Sequence, residues 1–267
     1  MNSQKPPEKF ADVRVHVPFL RKHEGLARGL EMLLGYEKIR RIFEKHEHAE
    51  NVPCAVVEEM GFRVNLKGLH EKIPAEGPVV VVSNHPFGGA DALALMSEMI
   101  KVRADFKALA NEETSLLRGL APLVFPVSIM DPEKAAENIG SIRAMLKYVK
   151  EGGSLALFPA GRVAVWDGDR MKDPPWNAQV LKLLQRMDAT VIPLWFFGNP
   201  PRLLSFFSRF SGFVRTALIP TGLAKMGHQE INGTTGEPFS SKELKKMGDQ
   251  AGPWLRKRLE SLFEIGN

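Results

Sequence analysis

Residues 79–95 read VVVVSNHPFGGADALAL. Four consecutive valines follow Gly77 and Pro78 and are apolar on both faces, the pattern of an interior strand in a parallel or mixed sheet. The run over 90–101 predicts a helix. Between the two, Pro86 fixes φ, and Gly88 and Gly89 permit positive φ, so the chain turns there. His85 then sits at the carboxyl end of the strand and Asp91 in the first turn of the helix. In open α/β sheets that edge is where ligands bind.

His85 and Asp91 are six residues apart, a spacing that no regular helix brings to one face. The turn can bring them together. An Asp accepting from Nδ1–H would fix the imidazole tautomer and leave Nε2 outward as a general base for a hydroxyl. The residues allow a plainer reading as well. Asp91 could complement a helix N-terminus, and His85 could be a satisfied polar residue at a strand end.

Outward from this unit, residues 20–48 predict helix, with Gly35 as a break, and 62–74 a half-buried strand. Residues 106–113 read as strand passing into loop, 122–130 as extended, 133–153 as helix and 154–162 as a strand ending in a turn. A helix over 177–187, a strand over 190–198 and a strand with a turn over 228–239 follow. Residues 241–264 read as a basic helix that Pro253 interrupts or restarts. Strands alternating with helices argue an α/β fold. The expected organisation is an N-terminal helical arm over 1–61, an α/β domain over 62–240, and a C-terminal basic helix over 241–267 packed on that domain.

The 267 residues are 44% apolar and 25% charged, enough to bury a large core. A net charge of +5 suits an anionic partner such as a membrane surface, an acidic carrier protein or a phosphorylated ligand. Cys54 is the one cysteine, so an intramolecular disulfide is excluded, and a small buried thiol in a reducing compartment is expected. The first residues lack a signal-peptide apolar core, and no run of about 18 apolar residues predicts a transmembrane helix. LLSFFSRFSGFVR (203–215) places Phe206, Phe207, Phe210 and Phe213 largely on one face if helical. That face suits an interfacial segment or an acyl-chain channel, and equally a buried core helix with solvated arginines. His46 and His48 do not share a helix face, and no metal site is expected. GGSLA (152–156) lacks the last glycine of a serine-hydrolase elbow. No nucleic-acid signature is present.

NHPFGGAD (84–91) resembles the His-x4-Asp motif of the glycerolipid acyltransferases, the lysophosphatidic acid acyltransferase superfamily. It is closer to a branch with a turn one residue longer, HX5D, which includes hemolysin-like proteins and ornithine-lipid O-acyltransferases. VFPVSIMD (124–131) resembles the second block of that superfamily, LFPAGRVAV (157–165) its Phe-Pro-Glu-Gly block, and VIPLWFFG (191–198) its closing strand. RTALIP (215–220) and GEPF (236–239) fit the branch. The resemblance spans about 62–240.

It implies a mixed, mostly parallel sheet flanked by helices, as in glycerol-3-phosphate acyltransferase. It implies O-acyl transfer from an acyl thioester, acyl-carrier protein or acyl-CoA, to a lysolipid hydroxyl, with no cofactor and no metal. His85 and Asp91 would be catalytic. Asn84, Phe87, Gly88, Gly89, Asp131, Phe158, Pro159, Gly161 and Arg162 would bind substrate. Work would be done peripherally, on the cytoplasmic side of a membrane, as part of phospholipid or ornithine-lipid metabolism. Ala160 stands where the glycerol-phosphate enzymes carry Glu, which favours a lyso-ornithine or other amino-acid lysolipid over lysophosphatidic acid. Arg162 would supply a cation for an acidic acceptor, or be a surface arginine. The alternatives are a lysophospholipid acyltransferase and a lipid-binding protein with altered chemistry.

Overall fold

The computed structural model describes residues 10, 12–16, 18–128, 136–167, 171–198 and 219–266. Asp131 and the segment with Phe206, Phe207, Phe210 and Phe213 lie outside them. The strands are β1 (Arg63–Lys67), β2 (Val79–Ser83), β3 (Phe106–Asn111), β4 (Val124–Val127), β5 (Ser154–Leu157), β6 (Val165–Trp166), β7 (Met171–Lys172), β8 (Thr190–Phe196), β9 (Glu230–Thr235) and β10 (Phe239–Ser240). The helices are α1 (Val13–His16), α2 (Glu24–Leu33), α3 (Tyr36–His46), α4 (Val52–Glu59), α5 (Leu69–Lys72), α6 (Gly89–Val102), α7 (Asn138–Lys150), α8 (Ala178–Arg186), α9 (Ile219–Lys225), α10 (Ser241–Met247) and α11 (Ala251–Gly266).

One eight-stranded sheet runs β1-β9-β8-β2-β5-β3-β4, with β10 beside β8. The stretch β8-β2-β5-β3-β4 is parallel, while β9 meets β8 antiparallel and carries β1 parallel to itself. This is the α/β fold that the alternating elements predict, with the mixed, mostly parallel sheet that the family resemblance implies. The valine strand is central, and every residue of β2 is buried. Its side chains alternate between two layers. Val79 and Val81 pack with residues of α3, α4 and α6, whereas Val80 and Val82 pack with residues of α7, α8 and α11. Burial on both faces is why the strand is apolar throughout, each valine contributing about 1.5–3 kcal/mol.

Gly35, at φ 75°, separates α2 from α3, so the predicted break is a left-handed joint. A Cβ there would stand 2.7 Å from that of Ala224, so α9 closes against the arm at a point only glycine fits. Two predicted elements split. The strand over 62–74 ends at Lys67, because Gly68 (φ 76°) turns the chain into α5. The C-terminal helix breaks at Gly248 (φ 55°), not at Pro253, which sits in the first turn of α11, where its missing N–H has no role to lose. The capping box of Ser240 and Glu243 starts α10.

At the amino ends of the strands, Arg103 is 4% exposed. Its guanidinium holds both oxygens of Asp105 at 2.8 Å and donates to the carbonyls of Pro74, Gly77 and Gly152. The end of α6 is thereby tied to the chain entering β2 and β5.

Candidate active site

β2, β5 and β8 are neighbours, so the loops beyond their carboxyl ends converge. Asn84 fixes the first of these loops. Its Nδ2 donates to the Phe196 carbonyl at 3.0 Å and its Oδ1 accepts the Phe196 N–H at 2.7 Å, extending the β2–β8 pairing through a side chain. Asn84 is 4% exposed, and both ends of its amide are engaged by backbone. His85 follows as the chain leaves the sheet.

Gly88 has φ 71°, and a Cβ there would lie 3.1 Å from Val163 and close to Ile219, so the turn needs glycine on both counts. Gly89 opens α6 with no such constraint, and a Cβ would sit 3.5 Å from Leu223. Asp91 reaches back from the first turn of the helix. Its Oδ2 accepts the Phe87 N–H at 2.8 Å and Oδ1 the Ala92 N–H at 2.7 Å. The Asp91 carboxylate is fully buried, with His85 Nδ1 2.9 Å from Oδ1. The longer turn therefore keeps the pair in contact. Nδ1 faces the carboxylate at ion-pair distance, and no hydrogen bond of good angle closes the contact. Such alignments tighten when substrate binds. Asp91 both closes the turn and faces the imidazole; the helix-start role and the pairing role coexist in one carboxylate.

Phe158, just past β5, lies over the His85 ring with centroids 4.2 Å apart and an interplanar angle of 35°. Phe87 is buried with its ring against Gly198 beyond β8. Pro159 accepts the Asn177 N–H at 2.8 Å, and the Gly161 N–H turns back to the Phe158 carbonyl at 2.9 Å. The N–H groups of Gly88 and Gly89, at the start of α6, meet no acceptor among the described residues. Arg162 is exposed, and no hydrogen bond or ion pair engages its guanidinium among the described residues.

Burial depresses the basicity of His85, but the charges of Asp91 and, more distantly, Asp173 outweigh it and hold the imidazole above its usual pKa. Asp173 is a site residue that the sequence reading missed. It lies in the segment between the small β6–β7 hairpin and α8, and its Oδ1 accepts the His85 N–H at 3.2 Å. A DPPW turn has no periodicity to signal such a contact, although a carboxylate just before a helix start is a feature of the sequence.

A family model described as "Acyltransferase" matches residues 16–249. The lyso-glycine lipid O-acyltransferase of Phocaeicola vulgatus is 28% identical over 69% of this chain and 67% of its own length. That of Bacteroides thetaiotaomicron is 27% identical, with 69% of each chain covered. The crystal structure of the 1-acyl-sn-glycerophosphate (LPA) acyltransferase of Thermotoga maritima superposes with a TM-score of 0.51 over 95% of each chain, at 14% identity, which speaks to the fold.

Proposed function

The chain belongs to this acyltransferase family, and from that premise we propose that it moves a fatty acyl group from a thioester to the hydroxyl of an amino-acid lysolipid, with His85 as general base. The observation that carries the reading is the His85–Asp91 contact at the carboxyl edge of the central strands. Nε2 takes the proton of the acceptor hydroxyl as its oxygen attacks the thioester carbonyl. Asp91, facing Nδ1, stabilises the imidazolium. The tetrahedral intermediate collapses with loss of the C–S bond, and the imidazolium returns its proton to the leaving thiolate. No side-chain nucleophile takes part. For the oxyanion, the N–H groups at the start of α6 are better placed than Gly161, whose N–H already has an acceptor.

An N-acylated amino acid keeps its carboxylate, and the exposed Arg162, unpaired among the described residues, suits such a group. The names of the two bacterial relatives support an amino-acid head group and put glycine beside ornithine as the candidate. Ala160, buried, leaves no carboxylate at that turn to repel an anion. The test is a panel of lyso-glycine lipid, lyso-ornithine lipid and lysophosphatidic acid, offered with acyl-carrier-protein and CoA thioesters. Preference for the amino-acid acceptors is expected; preference for lysophosphatidic acid would move the reading to glycerolipid synthesis.

The pH profile follows from the site. A general base works in its neutral form, so kcat/KM rises as His85 loses its proton. Because the folded value is raised, the midpoint of that limb is expected above the ordinary histidine value of about 6.5. A limb below that value would contradict the pairing with Asp91.

The acceptor is an amphiphile, and peripheral membrane contact at the cytoplasmic face is part of the proposal. Among the described residues, no helix is long and apolar enough to cross a membrane. The arm carries an apolar surface instead. Leu26 and Leu33 share the outer face of α2 and are 61% and 77% exposed, with Phe19 at 66% and Met32 at 70% nearby. Arg28, exposed on the same helix, pairs with Glu24. Exposed leucines along one helix face suit a lipid surface. Leu26→Glu with Leu33→Glu is expected to cut co-sedimentation with anionic vesicles at least several-fold. Unchanged binding would leave residues 203–215 as the contact.

A further inference from the structure

We propose that Asp173 is a positioning residue for the base: a second carboxylate that fastens the main chain of His85 and adds negative charge on which the imidazolium forms. The proposal rests on His85 as general base. Asp173 stands 88 residues from His85, yet its Oδ1 accepts the His85 N–H. Its Oδ2 accepts Trp176 Nε1–H at 3.3 Å. Two oxygens that both accept N–H donors suit the ionised acid. The segment is held from behind, since Arg256 on α11 donates to the Asp173 carbonyl at 3.0 Å and pairs with Glu260. On the other side, the His85 carbonyl accepts the Ala164 N–H at 2.9 Å. Both main-chain groups of His85 are thus held by the stretch joining β5 to α8, and one of the two ties is a charge.

Among the described residues, the charges acting on the imidazole are Asp91 from α6 and Asp173 from the segment before α8, with Arg256 behind Asp173. Burial holds the Asp173 carboxyl above its usual range, opposed by the His85 N–H and charge, by Trp176 and by Arg256. Asp91 and Asp173 both raise His85 against its burial. A neutral amide in place of Asp173 can still accept the His85 N–H, so charge and tether are separable.

The experiment follows His85 by NMR in protein carrying ring-labelled histidine; His85→Gln identifies its signal among the seven histidines. The pH profile of kcat/KM is recorded alongside. In the wild type the acid limb is expected to coincide with the His85 midpoint. A limb that does not coincide removes the general-base reading itself, before Asp173 is changed. In Asp173→Asn, the midpoint and the limb are expected to fall together. The plateau kcat is expected to drop, KM to change little, and Asp173→Glu to restore much of the shift. A folded Asp173→Asn protein with the wild-type His85 midpoint would overturn the proposal and leave Asp173 as a loop tie. If that variant does not fold, Asp173→Ser, which keeps an oxygen for the His85 N–H, carries the same expectation and the same refutation.

Discussion

Alanine in place of His85 is expected to lower acyl transfer by about 10³- to 10⁴-fold, the upper part of what a positioned general base contributes. The ring is 17% exposed and covered by Phe158, and the His85 main chain is held on both sides by Asp173 and Ala164, so the residue is positioned before substrate arrives. Its neighbours keep their own supports when it is removed. Asp91 retains the Phe87 and Ala92 N–H groups, and Asn84 retains Phe196. The variant is therefore expected to fold, with an unchanged circular dichroism spectrum and a near-normal KM for the donor. Equal loss of kcat and kcat/KM is the signature of an interaction made in the transition state. Near-normal turnover would show that another group takes the proton.

Arg103→Ala is expected to cost about 3 kcal/mol or more, the lower end of the range for breaking a buried ion pair. Asp105 loses both of its guanidinium donors and is half in water, so it is partly rehydrated. The carbonyls of Pro74, Gly77 and Gly152 lose a donor at the point where α6 meets the entries to β2 and β5. Against a total of about 5–15 kcal/mol, that is a large fraction. Thermal unfolding is expected to move down by about 6–12 °C for a chain of this size. Arg103→Lys keeps the charge without the fork and is expected to fall between. The Arg103 guanidinium also holds Asp105 below the usual carboxylate range. The stabilisation of this pair is therefore present above the unfolded Asp value and is lost as pH falls through the lower folded value. An Arg103→Ala protein that melts with the wild type would show that the surrounding packing alone carries this corner.

The legible parts of this fold are those whose signal is local. Four valines bounded by turn formers read as an interior strand and Pro-Phe-Gly-Gly as a turn, so the sequence puts His85 at the strand end and Asp91 at the helix start, while the contact between them is a fact of the structure. Gly35 marked its own joint for the same reason. What was missed depends on contacts between distant residues. Asp173 meets His85 across 88 positions, and the β6–β7 hairpin that carries it to the site has two-residue strands without periodicity. In sequence Pro253 is the strongest breaker of the C-terminal helix, yet proline is harmless in a first turn, and the break itself lies at Gly248. Asn84 reads in sequence as one more polar residue of the motif, and only the sheet shows its amide completing the ladder to β8.

Mass spectrometry of the lipid products made by the purified full chain from an acyl-carrier-protein thioester and a lyso-glycine or lyso-ornithine lipid, with the His85→Ala protein in parallel, bears on the proposed chemistry with the fewest assumptions. The expected result is a diacylated product, carrying the new acyl group as an ester, with the wild type and essentially none with the variant. Ester formation at equal rates by both proteins, or free fatty acid from the thioester with no acylated lipid, would contradict it.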